Sequence, residues 1–162
     1  MQCAFVDATE QHQTEQALRE SEERFRILFE GAPDAIFLAD PQSGKIQDVN
    51  GRACELLQRS HADIIGMHFS ELHPPALRDA ATTHFHDHMH LHHQQHTVHP
   101  TENALLRADG CEIPVEVLSQ MVSINGKTLV QGIFRDISER KRMEQSLHES
   151  EERYRSVVTV MT

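Results

Sequence analysis

Eight histidines crowd positions 84 to 99, in the run His84-Phe85-His86-Asp87-His88-Met89-His90-Leu91-His92-His93, then His96 and His99. Imidazole ligates transition metals and titrates near neutrality, so spacing decides what these side chains can do. His84, His88 and His92 recur at four-residue steps, which on a helix places them on one side, where imidazoles at i and i+4 can share one ion. His68, His73 or a second subunit would complete the set. The competing arrangement is a partly exposed polar helix with His88 hydrogen-bonded in the core. A run this dense also binds nickel or zinc adventitiously. Catalysis has little support. The chain has no Gly-rich phosphate loop, no GxSxG and no HExxH, and His86-Asp87-His88 are helical neighbours that point apart. Cys3, Cys54 and Cys111 form no CxxC and no CxxCH, which speaks against a disulfide framework, a zinc ribbon and a c-type haem.

The elements that must position these histidines are legible around them. Pro74 and Pro75 suit the first turn of a helix running to about residue 96. At 100° per residue its Leu77, Ala81 and Phe85 share one side, with His88 near the middle of that side and His86, His90 and His93 round the back. From Ala104 the pattern changes to strands. Ala108-Asp109-Gly110 is a turn, Ile113, Val115 and Val117 alternate along the next strand, and Asn125-Gly126 is a strong hairpin signal because both residues tolerate positive φ. A third strand, Lys127 to Arg135, returns beside it. Asp136-Ile137-Ser138-Glu139 then has the capping-box pattern that opens a helix. Upstream, Asp34 to Asp40 and Lys45 to Asn50 read as strands about a Pro41-Gln42-Ser43-Gly44 turn. Gly51 to Gln58 reads as a short helix with Ala53, Leu56 and Leu57 inward.

Three stretches together resemble a PAS sensor domain over roughly residues 22 to 140. They are Leu106-Arg107-Ala108-Asp109-Gly110, Ile113-Pro114-Val115-Glu116-Val117 and Gly132-Ile133-Phe134-Arg135-Asp136-Ile137-Ser138-Glu139-Arg140. Its N-terminal half is matched by Ala32-Pro33-Asp34-Ala35-Ile36-Phe37-Leu38-Ala39-Asp40, Ile46-Gln47-Asp48-Val49-Asn50 and Ile64-Ile65-Gly66. The resemblance implies an α+β PAS fold: a five-stranded antiparallel sheet with helices on one face, flanked by N- and C-terminal linker helices. It also implies a ligand cavity between the histidine-bearing helix and the sheet. The sheet wall is expected from Ile36, Leu38, Val115, Val117, Leu129, Gln131 and Ile133. Gln131 is the polar member, and alternation leaves open which face it takes. Asn50 either faces the cavity or closes its turn. The expected cofactor-binding set is His84, Phe85, His88, Asn50 and Gln131, and the metal set is His84, His88 and His92. The haem-binding branch is similar in placing its axial histidine on this helix, so His88 or His84 would hold haem b; a pH switch is a variant of the haem and metal arrangements. The light-oxygen-voltage branch carries its cysteine where this chain reads Gly66-Met67-His68-Phe69-Ser70, so covalent flavin is not expected and Cys54 is a structural thiol. Filling of the cavity by Phe85, Met89 and Met121 would indicate a ligand-free dimerisation scaffold, whereas open space would indicate a sensor.

The two ends repeat each other. Glu15 to Arg26 (EQALRESEERFR) and Glu144 to Arg155 (EQSLHESEERYR) are identical at nine of twelve positions, at an offset of 129 that also relates Phe5 to Phe134 and Asp7 to Asp136. By resemblance, residues 1–8 are the end of a preceding PAS repeat and 9–30 a linker helix. Residues 31–136 are the sensor core, and 137–162 a signalling helix leading into a following repeat. Narrow apolar stripes (Leu18, Phe25, Leu28 and Phe29; Met143, Leu147, Tyr154 and Val158) suit a homodimer seam through the flanking helices. Net charge is −10 with histidines neutral, which disfavours nucleic acid and direct contact with anionic membranes. Without a signal peptide or an apolar run long enough to span a bilayer, a cytoplasmic location is expected. The function implied is a sensory module, not an enzyme, that couples a cavity-bound small molecule to a coiled-coil linker helix hinged at Asp136. The setting would be a sensor kinase or cyclic-dinucleotide protein.

Overall fold

The computed structural model describes residues 3–91 and 99–161, which fall into two compact units, Met1–Pro33 and Asp34–Thr162. The first is a single helix, α1 (Cys3–Glu30). It starts before the Thr9 expected from the sequence: residues 3–8, which the offset of 129 aligns with the end of the Lys127 to Arg135 strand, continue the helix. A helix satisfies its own peptide groups, whereas a strand needs a neighbour to do so. Its end is set at Gly31, whose N–H donates to the carbonyl of Ile27 at 2.9 Å. A β-carbon there would lie 2.7 Å from that oxygen, so glycine is required.

The second unit is built on one antiparallel sheet in the order β2-β1-β5-β4-β3. Its strands are β1 (Ala35–Ala39), β2 (Ile46–Val49), β3 (Thr101–Leu106), β4 (Glu112–Ile124) and β5 (Lys127–Asp136). The β4–β5 hairpin turns at Asn125-Gly126, both with positive φ (51° and 75°), as that dipeptide predicts. Between β2 and β3 run α2 (Gly51–Leu57), α3 (His61–Ile64), 3-10 turns at Phe69–Leu72 and Pro75–Leu77, and α4 (Arg78–Leu91). After β5 comes α5 (Ser138–Val160).

Register decides the rest. Phe37 pairs with Gly132, Ser119 with Gly132, and Thr101 with Val117, so these side chains share one face of the sheet. That face carries the main core, in which Phe37, Ile46, Leu57, Ile64, Leu72, Leu105, Val115 and Phe134 pack together. Phe37 and Phe134 meet edge to face at 5.0 Å between centroids. Cys54 and Leu56 pack against this core half-buried. The expectation that Ile36, Leu38, Leu129, Gln131 and Ile133 face the cavity is therefore corrected. They occupy the opposite face, and Gln131 donates nothing inward but accepts from Nε2 of its cross-strand partner Gln120 at 2.7 Å. Both faces of β1 and β5 carry apolar residues, Ile36 and Leu38 being as buried as Phe37 and Ala39. Alternation alone could not tell the faces apart.

Candidate ligand-binding site

The cavity lies between the inner face of the sheet and α4. α4 is aimed by its start: Pro75 occupies the first position of the 3-10 turn, and Arg78 Nε donates to the carbonyl of His73. Ala81 and Phe85 then turn inward and are buried, as helical phase predicts. The Phe85 ring stacks on Phe69 (4.1 Å, 13° between planes), and Met89 and Met121 pack beside it against Ala39 and Val130. One end of the space is thus filled by Phe85, Met89 and Met121. A cavity of about 60 Å³ stays open beside them, with Ala39, Phe69, Phe85 and Val130 still in its lining.

The open part mixes apolar and uncharged polar groups. Phe37, Leu72, Ala81, Val117 and Phe134 make the apolar wall; His73, Thr101, Asn103 and Ser119 bring polar atoms to it, with His84 at the rim. Among the described residues its lining contains no Asp, Glu, Lys or Arg. Gly132 is part of the wall because the Phe134 ring folds back over it; a β-carbon there would lie 2.7 Å from that ring.

His73 is the residue that sequence reasoning undervalued. It is 4% exposed, and its Nδ1 is bonded to the carbonyl of Ala104 at 2.8 Å. Ala104 sits on the edge strand β3, opposite Pro114, which has no N–H to give. The peptide groups of Ala104 therefore face the free edge. His73 satisfies the carbonyl, and Asn103 Oδ1 accepts from the N–H at 2.8 Å. Burial lowers the proton affinity of His73 below the usual 6.5, against the opposing pull of the Ala104 carbonyl and the Asn103 side chain. Burial thus favours the neutral imidazole, and His73 brings a polar, uncharged group to the cavity. Pro114 on β4, which cannot donate to the strand beside it, was the available sequence signal, but nothing local names the histidine that satisfies the Ala104 carbonyl.

The other expected site residues are dispersed. Asn50 is fully buried and does not line the cavity. Its Oδ1 accepts from Ile36 N (2.9 Å) and Ala53 N (3.1 Å), and its Nδ2 donates to the Asp34 carbonyl, so it closes the turn and caps α2. Of the proposed metal set, His84 is exposed at the cavity rim, His88 lies on α4 with its side chain outside the described atoms, and His92 lies outside the described residues. Among the described residues no group of three His, Cys, Asp or Glu is placed to hold a metal. Neither haem nor flavin fits the cavity as folded. Drug-sized ligands already need about 300 Å³, and the stacked Phe69 and Phe85 rings line the space that is open. His68 Nδ1 accepts from the Ser70 N–H at the start of a 3-10 turn.

Asp136 also differs from expectation. The N-cap position of α5 is Ile137, which makes no side-chain cap; Asp136 acts from one residue outside it, its Oδ1 accepting from Ser138 N at 2.8 Å. Its backbone belongs to the β4–β5 ladder, opposite Val115. No described helix is long and apolar enough to cross a membrane.

Comparison with known proteins agrees with this geometry. The sequence model of the PAS domain matches residues 33–139. A methyl sulfide methyltransferase-associated sensor of Methanosarcina acetivorans is 27% identical over 142 residues, which are 85% of this chain and 13% of that protein. The chain thus spans about 13% of the length of that curated relative. Among solved structures, the PAS domain of an HTR-like protein from Haloarcula marismortui superposes with a TM-score of 0.63 at 26% identity, covering 78% of this chain and 99% of that one. A domain of a sensory box sensor histidine kinase/response regulator from Geobacter sulfurreducens shares the fold, with a TM-score of 0.59 at 21% identity over 74% of this chain and 96% of that one.

Proposed function

The chain belongs to the PAS domain family, and on that premise we propose that it is a sensory module in which a small, uncharged molecule between the sheet and α4 biases the helix α5. The observation that carries this reading is the cavity itself. It is about 60 Å³, and its wall interleaves apolar side chains with the neutral hydrogen-bonding groups of His73, Thr101, Asn103 and Ser119. A single water needs about 10–15 Å³ on this measure, so a few waters or one small organic molecule would occupy it. A carboxylate or ammonium would enter without a counter-charge, which is costly. The fitting class is a short alcohol, amide or thioether. Space remains beside the Phe85, Met89 and Met121 plug, which favours a sensor over a ligand-free scaffold.

The output would pass through β5, which contributes Val130, Gly132 and Phe134 to the wall and runs into α5. Met143, Leu147, Tyr154 and Val158 are exposed on α5, which supports pairing with a second copy through this helix. The sensor relative and the kinase-derived neighbour favour a sensor kinase or related signalling protein as the setting, with this chain as one period of a tandem array.

The test is stability against ligand. A probe that binds only the folded state raises the unfolding free energy by about 2.7 kcal/mol at a hundredfold excess over its Kd. Urea midpoints are measured with ethanol, propanol, acetamide and dimethyl sulfide, and with acetate and methylammonium as charged controls. A saturable rise with at least one neutral probe and none with the charged ones is expected. No rise with any neutral probe removes the reading.

A further inference from the structure

A row of charges crosses the outer face of the sheet. Glu102 on β3 pairs directly with Glu116 on β4, and Glu116 with Arg135 on β5; Arg135 in turn binds Asp34 at 2.9 Å. Two carboxylates directly opposite repel. Here α5 lays its first turn over them. Arg140 reaches Glu102 at 3.0 Å and Glu116 at 3.3 Å, and Lys141 Nζ donates to the second oxygen of Glu102. The backbone fixes that placement, since Ile137 N donates to the Pro114 carbonyl at 3.1 Å.

The other face of the same strands is the cavity wall. Glu102 stands between Thr101 and Asn103, and Glu116 precedes Val117. Along a strand successive side chains take opposite faces, so a shift of β3 that accommodates a molecule carries Glu102 with it. β3 is an edge strand, bonded to the sheet on one side only, so it can shift without breaking a second ladder.

We infer that Arg140 and Lys141 form a latch through which α5 reads the relative position of β3 and β4, and hence the state of the cavity. This rests on the sensing reading above and adds a route to it, separate from the direct continuation of β5 into α5. The pairs are surface-exposed (44% for Arg140, 43% for Lys141). Such pairs add little stability, so they suit a contact that is made and broken rather than one that holds the fold. Burial of an ammonium against Glu102 is not involved: that carboxyl is held below its ordinary value chiefly by its bond to Lys141.

The test is amide hydrogen exchange across residues 138–146 in the 162-residue chain. It is measured in the parent, in Ser119→Val, which fills part of the cavity, in Arg140→Gln, and in the double variant. Thr101→Ala, which enlarges the cavity, is run alongside in both backgrounds, and Glu102→Gln, which meets both Arg140 and Lys141, repeats the latch cut from the sheet side. Arg140→Gln alone is expected to speed exchange there about fivefold. A cavity variant should change it by about fivefold in the parent, but by under about twofold once Arg140 is gone. An equal effect of the cavity variants in both backgrounds overturns the latch while leaving sensing through β5 intact. No effect of either cavity variant in the parent overturns latch and sensing reading together.

Discussion

Glu102 and Glu116 face each other across the β3–β4 ladder, and both carboxylates close on the guanidinium of Arg140. Two like charges in register are a fault in a sheet unless something neutralises them. Because the neutralising group comes from α5, the outer face of the cavity wall and the first turn of the helix are one electrostatic unit. Arg140→Ala should therefore cost up to about 1 kcal/mol, the upper end for exposed pairs, with roughly half recovered by adding Glu116→Gln. Urea midpoints of the single and double variants check this, and strictly additive costs would count against the pairing.

Asn50 should be among the least replaceable polar residues. Its amide satisfies two buried N–H groups and one carbonyl at the junction of β1, β2 and α2. Asn50→Ala leaves the Ile36 N–H without its side-chain acceptor and removes a helix cap, at a cost of about 2–3 kcal/mol. A drop in the chemical denaturation midpoint with an unchanged slope is the expected result.

His73 gives the fold a pH dependence of known sign. Burial lowers its affinity for protons in the folded state. The unfolded chain therefore takes up the proton first as pH falls below 6.5, and stability declines from there down towards the lower folded value. One unit below 6.5 the contribution reaches at most about 1.4 kcal/mol. His73→Gln, whose amide can still donate to Ala104, should flatten that part of the stability profile between pH 7.5 and 5.5. A profile unchanged by the substitution would remove His73 as its source.

Asp136→Ala should act locally. The Asp136 carboxylate accepts from Ser138 N at the head of α5, so its loss costs about 1 kcal/mol and frays the first turn while the core stays folded. Unchanged exchange across residues 136–142 would contradict that role.

Much of the fold could be read from residue order. Asn125-Gly126 fixed one hairpin, the alternation of Ile113, Val115 and Val117 fixed the inward face of β4, and Ala81 and Phe85 gave the inward stripe of α4, while Leu77 falls in the 3-10 turn before it and is half-buried. The site was less legible, for three physical reasons. β1 and β5 are apolar on both faces, so Gln131 and Gly132 could not be assigned to a side without the register. Asn50 satisfies backbone groups, a role set by where Asp34, Ile36 and Ala53 meet. His73 works through Ala104, thirty-one residues away, while the dense histidine run downstream drew attention to His84, which lies exposed at the rim.

The central claim is that one event fills the cavity and moves α5. The most direct measurement is a nitrogen–proton NMR titration of the chain with ethanol, following Thr101, Asn103 and Ser119 in the wall and Ser138 to Arg142 in the helix. Both sets of amides should shift along one saturation curve with a single Kd, and acetate should reproduce neither. Saturation of the wall amides with no shift in the helix would contradict the account.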